Sequence, residues 1–309
     1  MSQRADIKVA KSPWGPDDQL GALNYLTPAK SADVLSRANG ARSYDLSIDY
    51  FVGMPSFQGA GDPGYQIFMS HTPEGTLVDN MNGVGESVNR HVCYSGDVVF
   101  MYTHTGTHID ALNHFGVDGE IYNNYRADEH LGSRGWTKGG AEVIPPIITR
   151  GVLLDIAKSK GVECLPDSYA ISVEDCQKAL GNAGLTLEPG DVAFVRTGRM
   201  RYWPEGAKVL GNPPGLSLEA AAWLTSQNIA VIAADQECVE VGPSPYEDNW
   251  LPGHCHFLAE AGVPMMELVN LEELSRDSVE EFCLIAAPIR LKGASGAPLR
   301  PIAMPLRGR

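Results

Sequence analysis

The feature that most constrains the fold is the alternation, in the second half of the chain, of short apolar runs with capped helical stretches. Val152-Leu153-Leu154-Asp155-Ile156, Val192-Ala193-Phe194-Val195, Ile229 to Ala234 and Phe282 to Arg290 read as strands, being short and rich in β-branched and aromatic residues. Between the first two lies Ser172 to Leu180, where Ser172 and Asp175 have the spacing of a capping box. Pro189-Gly190 supplies the turn into the second strand, and the alanine-rich Ser217 to Gln227 reads as the next helix. Strand, helix, strand in this order predicts an α/β or mixed layered fold. Thr27-Pro28 and Gly40 bracket a further short helix near the start.

Residues 50 to 90 have little periodicity and are rich in Gly, Pro, Asn and Ser. A loop that long in a compact domain is usually functional. It is read here as a cover over a site or a subunit contact, with Met54, Phe57, Tyr65, Phe68 and Met69 as candidate pocket-lining residues. The net charge of −14 argues against nucleic acid and anionic membrane as partners. Six cysteines without any C-x-x-C pair exclude a zinc ribbon and fit reduced thiols in a cytosol, so a cytoplasmic protein is expected. Met1 to Asp18 carries no apolar run of the secretory kind, and no apolar stretch approaches a membrane span.

The chemistry is concentrated in His104-Thr105-Gly106-Thr107-His108-Ile109-Asp110, followed by His114. Three of the eight histidines and a carboxylate fall within eleven residues, and imidazole with carboxylate is the usual ligand set for Zn²⁺ or Mn²⁺. The preceding Val98 to Tyr102 reads as a buried strand entering this site. If the strand continues, 104, 106, 108 and 110 share one face. Gly106 would then leave room for an ion among His104, His108 and Asp110, with His114 close enough to act on bound water. A second cluster, His254-Cys255-His256 followed by Glu267 between Met266 and Leu268, is a candidate addition to the site, and His254-x-His256 could itself be a metal pair. Asp235 and Gln236 close a strand, a position from which site residues often emerge.

The stretch HTGTHIDALNH resembles the H-x-G-T-H-x-D-x-P-x-H signature of the cyclase family of metal-dependent hydrolases, which includes bacterial-type kynurenine formamidases, isatin hydrolases and cyclic-imide and lactam hydrolases. The resemblance extends through "WGPDDQLGALNYLTP", "GMPSF", "LEPGDVAFVRTG", "IAADQECVEVGPSP" and "GASGAPLRPIAM", in the family's order. It implies a single-domain β/β/α swivelling-type layered sandwich over residues 1–309, with an N-terminal extension and loop-rich region over about 1–95, closer to the longer members. It implies that His104, His108 and Asp110 are metal ligands and that His114 is the catalytic proton shuttle. His254 and Glu267 resemble the later pair that faces the same site or a second ion; the register leaves His254 or His256 open. The cofactor implied is one or two divalent ions, Zn²⁺ or Mn²⁺, and the assembly a homodimer or homotetramer. Leu112 stands where the signature has proline.

The expected activity is hydrolysis of a C–N bond in a small amide, lactam or cyclic imide by metal-activated water, with isatin-like or N-formyl substrates included. No G-x-S-x-G elbow suggests a covalent route. The rivals are a small-molecule-binding protein with a structural, fully coordinated metal, and a cupin-like metal oxygenase.

Overall fold

The computed structural model describes residues 4–307, so Met1 to Gln3 of the N-terminal stretch lie outside it. Eleven strands matter for the site. They are β1 (Tyr44–Asp45), β2 (Gln66–His71), β3 (Gly96–Phe100), β4 (His108–Asp110), β5 (Ile147–Asp155), β6 (Val192–Arg196), β7 (Val231–Ala234), β8 (Met265–Glu267), β9 (Glu281–Ala286), β10 (Gly296–Pro298) and β11 (Ile302–Pro305). Nine of them form one mixed sheet in the order β1-β11-β9-β5-β6-β7-β8-β4-β10. The centre, β5 to β8, is parallel; β9 and β4 join its two sides antiparallel.

The expected strands at 152–156, 192–195 and 229–234 are this parallel centre. Their side chains alternate between two cores: Val152, Leu154, Ala193 and Val195 face one side, Leu153, Val192 and Phe194 the other. A parallel sheet covered on both faces needs such continuous apolar runs, and each fully buried Val, Leu or Phe contributes about 1.5–3 kcal/mol.

The helices include α1 (Pro28–Arg37), α2 (Pro73–Val78), α3 (Glu86–Asn89), α4 (Val173–Ala183) and α5 (Leu218–Thr225). The Ser172–Asp175 capping box is present, Gly184 ends α4 in the left-handed region, and Ser217 caps α5. Thr27 caps α1, which stops at Arg37, short of Gly40. A last helical turn, α6 (Pro252–His254), runs on as a π-helix over Cys255–Glu260 that seats Phe257 and Leu258 against α5 and the sheet.

Two expectations fail in the first hundred residues. The Val98 to Tyr102 run is not a buried strand continuous with the histidines. β3 pairs only with β2 in a separate two-stranded arm, and Val98 and Phe100 are 54% and 58% exposed. The segment 50–90 is not one loop: β2, α2 and α3 fall within it. Met54 and Tyr65 join a small cluster with Ile48, Met200 and Val209, whereas Phe68 and Met69 lie exposed on the arm. An apolar β-branched run reads the same whether its partner is the core of its own fold or not, so local pattern could not separate these cases.

Among the described residues, no helix is long and apolar enough to cross a membrane.

Candidate metal centre

β4 and β8 build the floor of the site. Their antiparallel register sets Glu267 opposite His108 and Met265 opposite Asp110. Directly opposed residues share a face, as do residues two apart on one strand, so His108, Asp110 and Glu267 converge on one side. Ile109 and Met266 point the other way into the second core. Leu268, next after Glu267, takes a φ of +52°, a rare conformation for a branched side chain. Thr107 Oγ1 donates to its carbonyl at 2.7 Å and its own N–H donates to Gln236 O at 2.9 Å, which holds the kink behind Glu267.

Gly106 has a different role from the one its position in the motif suggests. It lies in a turn before β4 with a φ of +64°, and a Cβ there would stand 2.6 Å from the Tyr50 ring. The gap it leaves is filled by Tyr50, not by an ion. Its carbonyl accepts from His108 Nδ1 at 2.8 Å, which turns His108 Nε2 toward the carboxylates.

Asp110 is the hub. Its Oδ1 lies 2.6 Å from His104 Nδ1 and 3.3 Å from His108 Nε2; its Oδ2 lies 3.7 Å from His254 Nε2 and 4.0 Å from His114 Nε2. Glu267 Oε2 stands 3.4 Å from His108 Nε2 and Oε1 3.5 Å from His254 Nε2. These residues are buried, His114 only partly. Most of the separations are too long for good hydrogen bonds. They suit donors around one ion, since ligands about 2.0–2.2 Å from a tetrahedral centre stand about 3.4 Å apart. His108 Nε2, Asp110 Oδ2 and Glu267 Oε1 are buried without a hydrogen-bond partner. Buried polar atoms are rarely left so, and a divalent cation among them would satisfy all three. Two ligand trios share Asp110: His108, Asp110 and Glu267, and His104, Asp110 and His114.

His104 differs from His108 in that both its nitrogens are engaged, Nδ1 by Asp110 and Nε2 by Ser295 Oγ at 2.9 Å. Gly296 on β10 makes room for it; a Cβ there would meet the imidazole at 2.6 Å. The His114 ring stacks on His104 with centroids 3.8 Å apart.

The structure separates His254 from His256. His254 reaches the cluster; His256 turns to Thr225 Oγ1 and Glu260 Oε2 at 3.0 and 2.6 Å. Between them Cys255 faces the Gly116 carbonyl. Asp235 and Gln236 do close β7, but they serve its neighbour. The Asp235 carboxylate accepts from Thr197 N, Thr197 Oγ1 and Gly198 N, and Gln236 Oε1 lies 3.5 Å from the same hydroxyl.

Glu240 escaped the sequence reading. Its carboxylate accepts from His254 Nδ1 at 2.8 Å and from His254 N at 2.9 Å, fixing Nε2 toward Asp110 and Glu267. No local signal marks it, because it lies in an irregular segment after β7. Tyr102, Phe115 and Trp250 were missed for the same reason. With Phe57, Leu210 and Leu251 they line a cavity of about 290 Å³ over the cluster. Among the described residues no lysine or arginine lines it; its acidic groups are Glu237 and Glu267.

The electrostatics fit a cation. Burial alone would lower the His108 imidazole, but Asp110 and Glu267 raise it to about 10. For His254, burial is likewise overridden by Glu240, and the value rises to about 9. Burial and the Asp110 charge push the Glu267 carboxyl up to about 7. Without a cation the cluster balances its carboxylates with protons, which a metal ion would replace. Burial holds His114 well below the ordinary histidine value.

A single-domain α/β sheet protein carrying a buried histidine–carboxylate cluster at one end of its sheet is the class that this fold and site define. The family model described as Putative cyclase matches residues 44–241, and the chain belongs to that family. A crystal structure described as a novel cyclase shares 30% identity over 96% of this chain and 99% of its own, with a TM-score of 0.84. Isatin hydrolase A from Ralstonia solanacearum shares the fold at 21% identity, covering 90% of this chain and 97% of its own, with a TM-score of 0.64. A predicted metal-dependent hydrolase from Bacillus stearothermophilus shares it at 21% identity, covering 85% and 97%, with a TM-score of 0.53. No curated protein matches the chain.

Proposed function

We propose that this protein is a metal-dependent hydrolase that cleaves the C–N bond of a small, uncharged amide, lactam or cyclic imide. One observation carries the reading: three orphaned ligand atoms, on His108, Asp110 and Glu267, lie beneath an apolar cavity. The isatin hydrolases and the predicted metal-dependent hydrolase among its structural relatives support it. A structural metal would be fully enclosed, whereas this cluster meets a cavity large enough for a small ring compound.

His108, Asp110 and Glu267 would hold the ion, with His254 alongside. Zn²⁺ and Mn²⁺ both suit this donor set. A bound divalent ion supplies Lewis acidity toward a water molecule and toward the carbonyl oxygen. His114, partly buried and held in its neutral form at pH 7, accepts a proton at Nε2 and returns it to the departing nitrogen. Its stacking on His104 fixes the ring for that transfer. Tyr102, Phe115 and Trp250 hold a flat substrate and exclude water, which strengthens each electrostatic contact in the site. Among the described residues no lysine or arginine lines the wall, which favours neutral substrates over carboxylates.

The test is elemental analysis of the purified protein, followed by chelation, reloading with Zn²⁺ or Mn²⁺, and turnover of N-formyl amines, isatin, lactams and cyclic imides. His108→Ala should lose metal. His114→Asn should keep it while the rate falls by about 10²–10⁴. Full turnover in a verified metal-free preparation would overturn the proposal.

A further inference from the structure

One carboxylate on the cavity wall has no part in the metal centre. Glu237 lines the cavity beside Cys238, just past the end of β7. Its segment is anchored on both sides. Gln236 O accepts from Leu268 N at 2.9 Å, and Val239 O accepts from Leu216 N at 3.0 Å. Glu237 is therefore presented from a fixed backbone at the C-terminal end of a parallel strand, where ligands of open α/β sheets usually bind.

Its side chain differs from the other acids near the site. Glu240 is bound to His254, Asp235 accepts from Thr197 and Gly198, and Asp110 and Glu267 face the histidines. Among the described residues no hydrogen bond or ion pair reaches the Glu237 carboxylate. The Tyr102 hydroxyl senses its charge but does not donate to it. Neither ligand trio includes Glu237, so it is not placed to hold the ion. It is nonetheless partly withdrawn from water: burial, and then the Glu267 charge, raises its carboxyl to about 7. A desolvated carboxylate without a donor is costly, and a bound molecule is what can supply the donor.

The neighbouring polar side chains of the wall are committed. His104 uses both of its nitrogens, His254 Nδ1 is held by Glu240, and Ser244 Oγ donates to Asn249 O at 2.6 Å and accepts from Tyr246 N at 3.1 Å. Among the described residues Glu237 is thus the charged acceptor that the wall offers outside the metal cluster.

We propose that Glu237 sets specificity by accepting a hydrogen bond from an N–H of the substrate, so that the site selects amides, lactams and imides that retain an N–H over their N-alkylated counterparts. This rests on the protein being the metal-dependent hydrolase proposed above, although the recognition precedes any chemistry. An N-methyl group in place of the N–H leaves the carboxylate buried without a donor. Such a mismatch discriminates more strongly than a missing apolar contact does.

The probes are two matched pairs, isatin with N-methylisatin and succinimide with N-methylsuccinimide. Calorimetric binding to the Zn²⁺-loaded protein and kcat/KM are measured separately. The unmodified protein should prefer the N–H member of a pair by about 10–100-fold. Glu237→Gln keeps the shape and loses the charge; it should weaken the N–H compound by about tenfold and leave the N-methyl compound within twofold. Glu237→Leu should abolish the preference. A role confined to shape would leave the glutamine variant unchanged, and an effect exerted through the ion would move both compounds together; either result would overturn the inference. Elemental analysis checks that the variants carry as much metal as the unmodified protein. Equal affinity within both pairs, no binding of any of the four compounds, or a preference that survives in Glu237→Leu would also overturn it. Turnover without an N–H preference would leave the hydrolase standing and sink the role of Glu237. An N–H preference in binding, lost in Glu237→Leu and without turnover of any compound, would do the reverse.

Discussion

Replacing Glu240 by glutamine tests whether the metal centre depends on a residue that never touches the ion. The Glu240 carboxylate spans His254, with Oε2 2.8 Å from Nδ1 and Oε1 2.9 Å from both Nδ1 and the backbone N. Glutamine keeps the shape and one acceptor oxygen. It removes the charge and turns an amide NH₂ toward a donor. A hydrogen bond to a charged partner is worth about 1.5–3 kcal/mol. Outer carboxylates that orient a ligating histidine typically change metal affinity by about 10–100-fold, or about 1.4–2.7 kcal/mol. The two ranges agree because they describe the same contact. Competition against a chelator should therefore show Zn²⁺ or Mn²⁺ bound about 10–100-fold more weakly in Glu240→Gln. His256→Ala should bind as the unmodified protein does, since His256 faces Thr225 and Glu260. A folded Glu240→Gln protein with a dissociation constant within twofold of the original would refute the argument.

Metal binding should be strongly linked to protons. His108 and His254, raised to about 10 and about 9, hold protons in the metal-free fold that they would not hold in the unfolded chain. Their contribution to stability is thus complete below pH 6.5 and is lost as pH rises through 9 to 10. Glu267, raised to about 7, acts in the same direction from pH 4.5 upward. The metal-free protein should melt at lower temperature as pH rises from 6 to 10, and the loaded protein should not. Calorimetry in buffers of different ionisation enthalpy should show about two to three protons released per ion near pH 7; no release would contradict this electrostatic picture. Gly106→Ala should destabilise the fold by about 1–3 kcal/mol in denaturant titration, because its φ of +64° and the Tyr50 ring both resist a Cβ. An unchanged midpoint would mean the turn before β4 relaxes freely.

Much of the scaffold was legible from local pattern. The central strands announce themselves because a sheet buried on both faces requires unbroken apolar runs, and α4 because Ser172 and Asp175 mark its start; its end at Ala183, before the left-handed Gly184, lies three residues beyond the expected Leu180. The exposed β3 misled the same reasoning, since Val98 to Phe100 has the composition of a core strand. Gly106 misled it too: a glycine among ligands suggests room for an ion, and only the approach of Tyr50 shows what occupies that room.

Sequence by itself determined which ligand-type side chains the chain possesses, where its strands and caps begin, and that His104 to His114 belong to one local unit. Tertiary structure alone decided which atoms face one another. Opposing Glu267 to His108 requires β4 and β8, far apart in the chain, to pair in one register. Choosing His254 over His256 requires the π-helical segment to sit at one rotation against α5. Recruiting Glu240 requires the segment after β7 to fold back beneath α6. Local residues encode dihedral preference and periodicity, whereas register, rotation and long-range pairing are set by how whole elements pack, and the metal centre is made of those three.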